Sequence, residues 1–494
     1  MYKLSVTSGE WVVLKPNKKI FMGFQVFAIL VLHTATIMAA QDTINRVETF
    51  ESFIQRVLKS HESLELAKLN IIRTKSEIQV IESSLGWNLF ANAGVNRNRS
   101  FVGAEVNQSL ATLGVNKIFQ SGNSIELKGD YLRDDSEFAL SPLQANPLTT
   151  SSVAVDYRMP LMQNKNFTQY QLDINSVNSN YTGSINTQSI IRDEITSQAI
   201  ELYYGAAILV ARLDTAKKSI QRSKKLRDHI QKNIKLGILE KGEISQAEAQ
   251  IYNLQGQYEE LVLVWDKSKI AINRLIGVAW NNSFNTVISN TPVVNYNLVD
   301  VNEKVIFYNP ELKTLNLDLK VADSIIAFHQ DNTKSRLDLV FSVGGLNTQG
   351  PSLSGAIDES DVIGGIRVEY QKALDNRGLD SKLYQSQVDK NTIEVQIKKL
   401  EQDLKYDTNT LISNINQLSK INNSYRKRHK SEIEKYKDIV NRYRAGRADT
   451  NLVIQFENEL TQAELVFKTQ KILREKIIAL LKLKQGILLD TKNN

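Results

Sequence analysis

At 494 residues the chain is long enough to hold several ordinary domains. It contains no cysteine, which excludes disulfides, thiolate metal sites, cysteine nucleophiles and a lipoprotein anchor on an N-terminal cysteine. Of the formal charge of +7, three charges sit in the first forty residues (Lys3, Lys15, Lys18 and Lys19 against Glu10), and the +4 left on the remainder is too dispersed to call for an acidic partner or a nucleic acid.

Those forty residues read as an address. Lys15, Lys18 and Lys19 precede the uncharged run "IFMGFQVFAILVL" (20 to 32), and Ala39 and Ala40 precede Gln41 as at a secretory cleavage site, so 1–40 is expected to be a signal peptide. The alternative for this run is a true membrane anchor. No later segment has the roughly 20 consecutive apolar residues of a spanning helix. An exported chain of this kind is either soluble outside the cytoplasm or enters a membrane as a β-barrel.

A helical stretch follows at 43 to 85, and then the period falls to two. Strand candidates are 88 to 98, "SLATLGVNKIF" (109 to 119), "SIELKGDYL" (124 to 132) and "SSVAVDYRMPL" (151 to 161), with "RLDLVFSVGGL" (336 to 346) and "DVIGGIRVEYQKAL" (361 to 374) further on. Alternating segments of about ten residues suit a barrel wall or a soluble sheet.

Between and after these strands the chain is helical. None of its seven prolines lies between Pro160 and Pro292 or after Pro351. Apolar residues step by four and three through Ile195, Ala199, Leu202, Ala206, Leu209, Leu213, Ala216 and Ile220, then, after the polar Ser223 and Arg227 at the next two positions, through Ile230 and Ile234, and again from Ile244 to Leu275. A rougher heptad runs from Ile393 to Leu418 and from Val453 to Leu481, and such spacing specifies helices packed by knobs into holes. A helix from about Asn166 to Leu236 would be roughly 100 Å long, against some 60 Å for its return arm at 240 to 277. The stretch 43 to 85 is the expected filler beside the long arm, and 310 to 333 its counterpart.

Gly237 and Gly242 interrupt the first helical pair in "KLGILEKGEISQAEAQ". Gly446 interrupts the second in "RAGRADTNLVIQFENEL", 209 residues after Gly237, with Gln455 and Glu457 matching Gln246 and Glu248. Gly277 and Gly486 keep the same interval. A left-handed residue at a helix end is the usual reason for glycine there, so Gly237 and Gly446 read as the tips of two helical hairpins. The expected organisation is a first repeat at 41–290 (helix, strands, hairpin with its tip near 237–243), a linker at 291–309, a second repeat at 310–490 (tip near 446–452) and a tail at 491–494.

The duplicated order, the two tips and the strand-to-helix junctions "YRMPLMQN" (157 to 164) and "YQKALDNRG" (370 to 378) together resemble the TolC family of outer membrane efflux proteins, over about residues 43 to 490. The resemblance implies an α+β membrane protein built from an internal duplication: a homotrimer whose chains share one outer-membrane β-barrel, continued by a long periplasmic α-helical coiled-coil barrel. It also implies a passive conduit for efflux or type I secretion, partnered by a periplasmic adaptor, an inner-membrane pump and outer-membrane lipid, with no cofactor. Gly237 and Gly446 become candidate adaptor contacts. Tyr443, Arg444, Arg447 and Asp449 become a candidate gate, with Leu452 and Gln455 in slots where the family often has aspartates, and Glu243 and Gln246 in the matching slots of the first copy. The segment 109 to 133 departs from the family's two strands per copy. It reads as an extra hairpin around "QSGN" that is an extracellular extension, added wall or a unit packed elsewhere.

Other features have plainer readings. "YRKRHK" (425 to 430) is followed at once by Glu432 and Glu434 and reads as a solvated helix face. The acidic runs "RDDSE" (133 to 137) and "DESD" (358 to 361) offer oxygen ligands for a cation, against which turn chemistry and solubility are the expected reading. His33, His61, His229, His329 and His429 are dispersed without a metal-binding spacing, and no GxSxG, P-loop or dinucleotide motif stands in context, so an enzyme is not expected. The alternative function is an exported soluble coiled-coil scaffold with a small sheet. A membrane wall needs an apolar outward face, and a scaffold needs none.

Overall fold

The computed structural model describes residues 48–99, 105–136, 147–288, 291–292, 296–352 and 355–488. The leader expected at 1–40 and the 491–494 tail lie outside the described residues. In chain order the elements are α1 (Phe50–Ser60), α2 (Glu62–Ser83), β1 (Trp87–Arg99), β2 (Glu105–Ile118), β3 (Ser124–Ser136), β4 (Leu148–Pro160), α3 (Thr168–Lys235), α4 (Gly242–Ile276), α5 (Leu298–Tyr308), α6 (Pro310–Asn332), β5 (Arg336–Ser352), β6 (Gly355–Gln371), α7 (Arg377–Arg444) and α8 (Thr450–Lys484).

The long helices fall where the heptads place them. Helices α3 and α7 each hold 68 residues, and α4 and α8 each hold 35. Gly237, Gly277, Gly446 and Gly486 are all left-handed, with φ between 71° and 74°. Each carries the paired bonds of a Schellman cap. At the first tip the Gly237 N–H donates to the Ile234 carbonyl (3.0 Å) and the Ile238 N–H reaches back to Asn233 (2.9 Å); at the second, Gly446 donates to Tyr443 (3.0 Å) and Arg447 to Arg442 (2.8 Å). A side chain at Gly237 or Gly446 would meet nothing within 4 Å, so backbone conformation rather than crowding selects glycine.

Two stretches differ from expectation. The helix at 43 to 85 breaks at His61, which is extended and accepts the Ser63 N–H on its ring nitrogen (3.3 Å), capping α2. The stretch 291–309, expected as a linker, holds α5: Asn297 caps it by accepting from Val299, and Val301 and Val305, four apart, are buried. Asn309 then caps α6 ahead of Pro310, accepting the Leu312 N–H at 2.7 Å.

The chain forms two compact units. One comprises the residues up to Ser60 with Glu201–Thr291 and Ile421–Glu475; the other comprises His61–Ile200, Pro292–Lys420 and the residues from Lys476. In the first, α1 presents Phe50, Phe53, Ile54 and Val57 on one stripe to the rings of Tyr203, Tyr204 and Phe284, with centroids 5.3 to 5.5 Å apart for the contacts of Phe50 and Phe53. The buried Tyr203 hydroxyl lies 2.7 Å from the Val287 carbonyl and 2.9 Å from that of Glu48, and burial pushes its pKa up to about 12. The core of the second unit contains Val301, Val305, Leu404, Ile412, Ile415, Ile478 and Leu481.

That second unit also carries the sheet, which is wholly antiparallel in the order β1-β2-β3-β4-β5-β6. The 109 to 133 segment, open to three placements in the sequence, is β2 and β3, paired in plane between β1 and β4. Its turn lies at the end of the sheet that leads into helices. Gly122 in that turn has φ +84°, and a side chain there would come within 2.6 Å of the Asn164 carbonyl in the β4–α3 junction. The junction is itself tied down. Asn164 is left-handed (φ 61°), and the buried Asp331 carboxylate accepts both its N–H (2.6 Å) and the Thr168 hydroxyl (2.9 Å).

Candidate functional site

The two hairpin tips pack on each other through one apolar cluster. Ile230, Ala247, Ile439, Tyr443 and Val453 are buried, and Ile234, Leu239, Ile244, Tyr436, Leu452 and Phe456 pack around them. Tyr436, Ile439 and Tyr443 recur at helical spacing on one face of α7. Tyr443 meets His229 of the other hairpin edge to face at 5.7 Å, and its hydroxyl lies 3.0 Å from that of Thr450, which donates to the carboxylate of Glu243. Burial, with the nearby Glu243 charge, holds the Tyr443 pKa above its ordinary value, while the Thr450 bond pulls it down.

The Tyr443–Thr450–Glu243 relay therefore joins the base of the second tip to the start of α4. Gln246 donates to Asn451 (3.3 Å) and Gln250 to Asn458 (2.9 Å), extending the link between α4 and α8. Farther along α8, buried Glu457 accepts from Ser219 (2.8 Å), the Arg222 guanidinium (3.0 Å) and Thr461 (2.8 Å).

Of the eight residues expected at the gate, the structure brings Tyr443, Glu243, Gln246 and Leu452 into this interface. Asp449 caps α8, accepting the Leu452 N–H at 2.7 Å, and Gln455 is exposed and donates to Glu459 (3.1 Å). Arg444 and Arg447 are exposed and do not join Tyr443 in a network: charged side chains at the tip stay hydrated while the tyrosine occupies the apolar seam. Thr450, Asn451, Gln250 and Asn458 were not singled out by sequence. The signal was present, since Gln246 and Gln250 are four apart and Asn451 and Asn458 seven apart, each pair on one helix face.

The sheet has two chemically distinct faces. Directly opposed residues share a face, so the register carries one row across all six strands: Trp87, Lys117, Ile125, Tyr157, Phe341, Ile366. Above it on the same face stand Leu89 and Val95, Leu113 and Val115, Leu127, Val153 and Val155, Val343, and Val362. Most of these side chains are bare, Leu89 being 73% exposed, Val95 81%, Leu113 59%, Val343 58% and Val362 87%, while Val115 and Val155 are half-buried. Charge on this face is confined to its two ends, Lys117 at one and Arg97, Arg99, Glu105, Arg133, Asp135 and Asp358 at the other.

The opposite face carries charge through its middle. Lys128 lies 3.5 Å from Asp156, and Arg158 bridges Asp338 (2.7 Å) and Glu369 (2.6 Å) across three strands. Asn88, Asn92, Asn96, Gln108, Thr112, Asn116 and Ser342 lie on the same side. Along β1 the apolar stretch from Trp87 to Val95 is about 27 Å long at ~3.4 Å per residue. Across all six strands the rows free of charge are those of Leu89, Ala91 and Ala93, bounded by Lys117 in the Trp87 row and by Arg133 and Asp358 in the Val95 row, with Trp87, Tyr157 and Tyr370 as aromatics at the helix end.

No family model matches the sequence, and no curated protein matches it. Solved structures do. The outer-membrane channel OprN is 11% identical, the alignment covering 88% of this chain and 89% of that one at a TM-score of 0.66. The outer membrane protein VceC from Vibrio cholerae is 13% identical, covering 89% of this chain and 97% of that one at 0.65. The MtrE outer membrane channel of Neisseria gonorrhoeae in its open state is 14% identical, covering 89% of each chain at 0.61. The chain has the fold of these outer-membrane channels, and the resemblance read from its sequence holds at that level.

Proposed function

We propose that the protein is the outer-membrane channel of an efflux or type I secretion system, a homotrimer built on an internal duplication and acting as a passive conduit. The observation that carries this is the exposed apolar band, charged only at its two ends, on one face of a six-stranded sheet whose other face is polar through its middle. Water would not stabilise that band, whereas lipid would. The edge strands β1 and β6 each pair on one side only among the described residues, and open edges do not face lipid, so association of copies is the natural closure. A soluble scaffold gives no reason for the band.

Gating is assigned to the hairpin tips. The Tyr443–Thr450–Glu243 relay and the Gln–Asn pairs hold the two hairpins together, and the opened state would exchange these bonds for contacts with an adaptor. Leu236 and Ile238, exposed on either side of Gly237, offer apolar contact for that adaptor, with Gly446 marking the second docking position. Energy and substrate choice belong to an inner-membrane pump.

Fractionation tests the membrane assignment. The protein should remain with outer membranes after alkaline washing, require detergent for extraction, and migrate on gels as a heat-modifiable species. Release in soluble form by washing alone, with the fold intact by circular dichroism, would support the scaffold instead.

A further inference from the structure

We infer that the β2–β3 hairpin is an integral third of each chain's share of the pore wall, so that three copies close an eighteen-stranded barrel with a polar lumen. This rests on the channel assignment above. Four observations support it.

The hairpin is in plane and fully paired. Register with β1 is continuous from Trp87–Lys117 to Arg99–Glu105, and β3 pairs with β4 from Ser124–Arg158 to Asp134–Leu148. Its side chains obey the same division as the other strands. Leu113, Val115 and Leu127 continue the apolar band, whereas Gln108, Thr112, Asn116, Lys128 and Asp130 continue the polar face, Thr112 donating to Asp130 at 2.7 Å and Lys128 pairing with Asp156.

The turn of the hairpin lies against the strand-to-helix junction, as the Gly122 approach to Asn164 shows, so the strands run the same course as their neighbours. Finally, strand sense is preserved. Inserting two strands leaves β1 and β6 antiparallel to each other, so β6 of one copy adds to β1 of the next in the pairing used throughout the sheet. The occupant of each free edge is thus a second copy of this chain.

Barrel diameter grows roughly linearly with strand number, so the wall would be about 1.5-fold wider than one built from four strands per chain. At this size a barrel leaves an aqueous channel rather than an interior filled by side chains.

Because the chain has no cysteine, single thiols can report on each face. The full-length protein would be reconstituted in liposomes with one cysteine at a time, and the rate of modification by a charged, water-soluble thiosulfonate measured. Ser342→Cys and Val343→Cys on β5 serve as the reference pair. Thr112→Cys and Lys128→Cys test the polar face of the hairpin, and Leu113→Cys and Leu127→Cys its apolar face. Asn116→Cys replaces Lys128→Cys if loss of the Asp156 pair disturbs folding.

The expected result is fast labelling at Ser342, Thr112 and Lys128, and labelling slower by about tenfold or more at Val343, Leu113 and Leu127, where hydrocarbon disfavours the reactive thiolate. Fast labelling on both faces of the hairpin, with alternation kept at Ser342 and Val343, would overturn the inference and leave the channel assignment standing. Equal labelling at Ser342 and Val343 would overturn both.

Discussion

The helical tips and the β-sheet solve the same problem in opposite ways. At the tips, Ile230, Tyr443 and Val453 bury their apolar faces within one chain, and the polar groups beside them are paired: Tyr443 with Thr450, Thr450 with Glu243, Gln246 with Asn451. The sheet buries almost none of its apolar face, leaving Leu89, Val95 and Val362 bare while its polar face is cross-linked by Arg158 and Lys128. Where an apolar seam is buried and its polar neighbours are paired, as between the hairpins, the chain closes it alone and leaves only Leu236 and Ile238 bare at the first tip; where a whole apolar face is uncovered and the polar side is satisfied, the missing component is the surroundings.

The contrast is broken most strongly inside the helical unit. Arg222→Ala would leave buried Glu457 without its cation, and loss of one partner of a buried pair costs about 3–5 kcal/mol. Chemical denaturation should show that loss in the helical signal, and Arg222→Ala with Glu457→Gln should recover part of it. A midpoint unaffected by Arg222→Ala would mean that the pair is hydrated and the unit looser than described.

On the sheet, the face rather than the strand should decide. Val343→Arg puts a charge in the apolar band and should cost ~2–4 kcal/mol in a lipid-reconstituted unfolding titration, while Ser342→Arg one residue away should cost far less. Equal penalties at the two positions would remove the distinction between the faces.

A smaller effect is expected at the tips. Tyr443→Phe with Thr450→Val deletes both hydrogen bonds of the relay to Glu243 while keeping the seam packed; at about 1 kcal/mol per bond the open-to-closed ratio should rise about thirtyfold. Gating statistics unchanged in a properly assembled variant would separate the relay from the gate.

The smallest effect is a pH dependence. His429 stacks on Phe467 at 5.8 Å, and burial depresses its pKa below the ordinary 6.5 despite the opposing pull of Glu464, with Lys468 and Arg222 adding to the depression. A depressed imidazole binds its proton more weakly in the folded chain, so stability falls as pH drops from 6.5 toward the folded value and levels off below it. Thermal melts across that window should show the decline, and His429→Gln should flatten it.

Much of this was legible in the sequence, for local reasons. Gly237 and Gly446 announce left-handed helix caps, the heptads mark α3, α4, α7 and α8, and the period-two segments mark all six strands to within a few residues at most ends. The break at His61 and helix α5 were less visible, because an imidazole cap is a weak signal and α5 is short.

What strand order does was not legible at all. That β2 and β3 lie in plane between β1 and β4 follows from pairing between residues such as Ser124 and Arg158, a relation no local window contains. At the tip, Tyr443 was expected as a gate residue, and its grouping with Arg444, Arg447 and Asp449 relied on nearness in sequence. Helical geometry instead turns the two arginines outward and brings Thr450 and Glu243 to the tyrosine hydroxyl.

The central claim is that the bare sheet face is a membrane wall closed by three copies around a pore. Single-channel recording of the detergent-extracted protein in planar bilayers, with oligomeric mass determined on the same sample, tests it most directly. A trimer producing discrete conductance steps is the predicted result. A folded monomer or soluble oligomer that never conducts would contradict it.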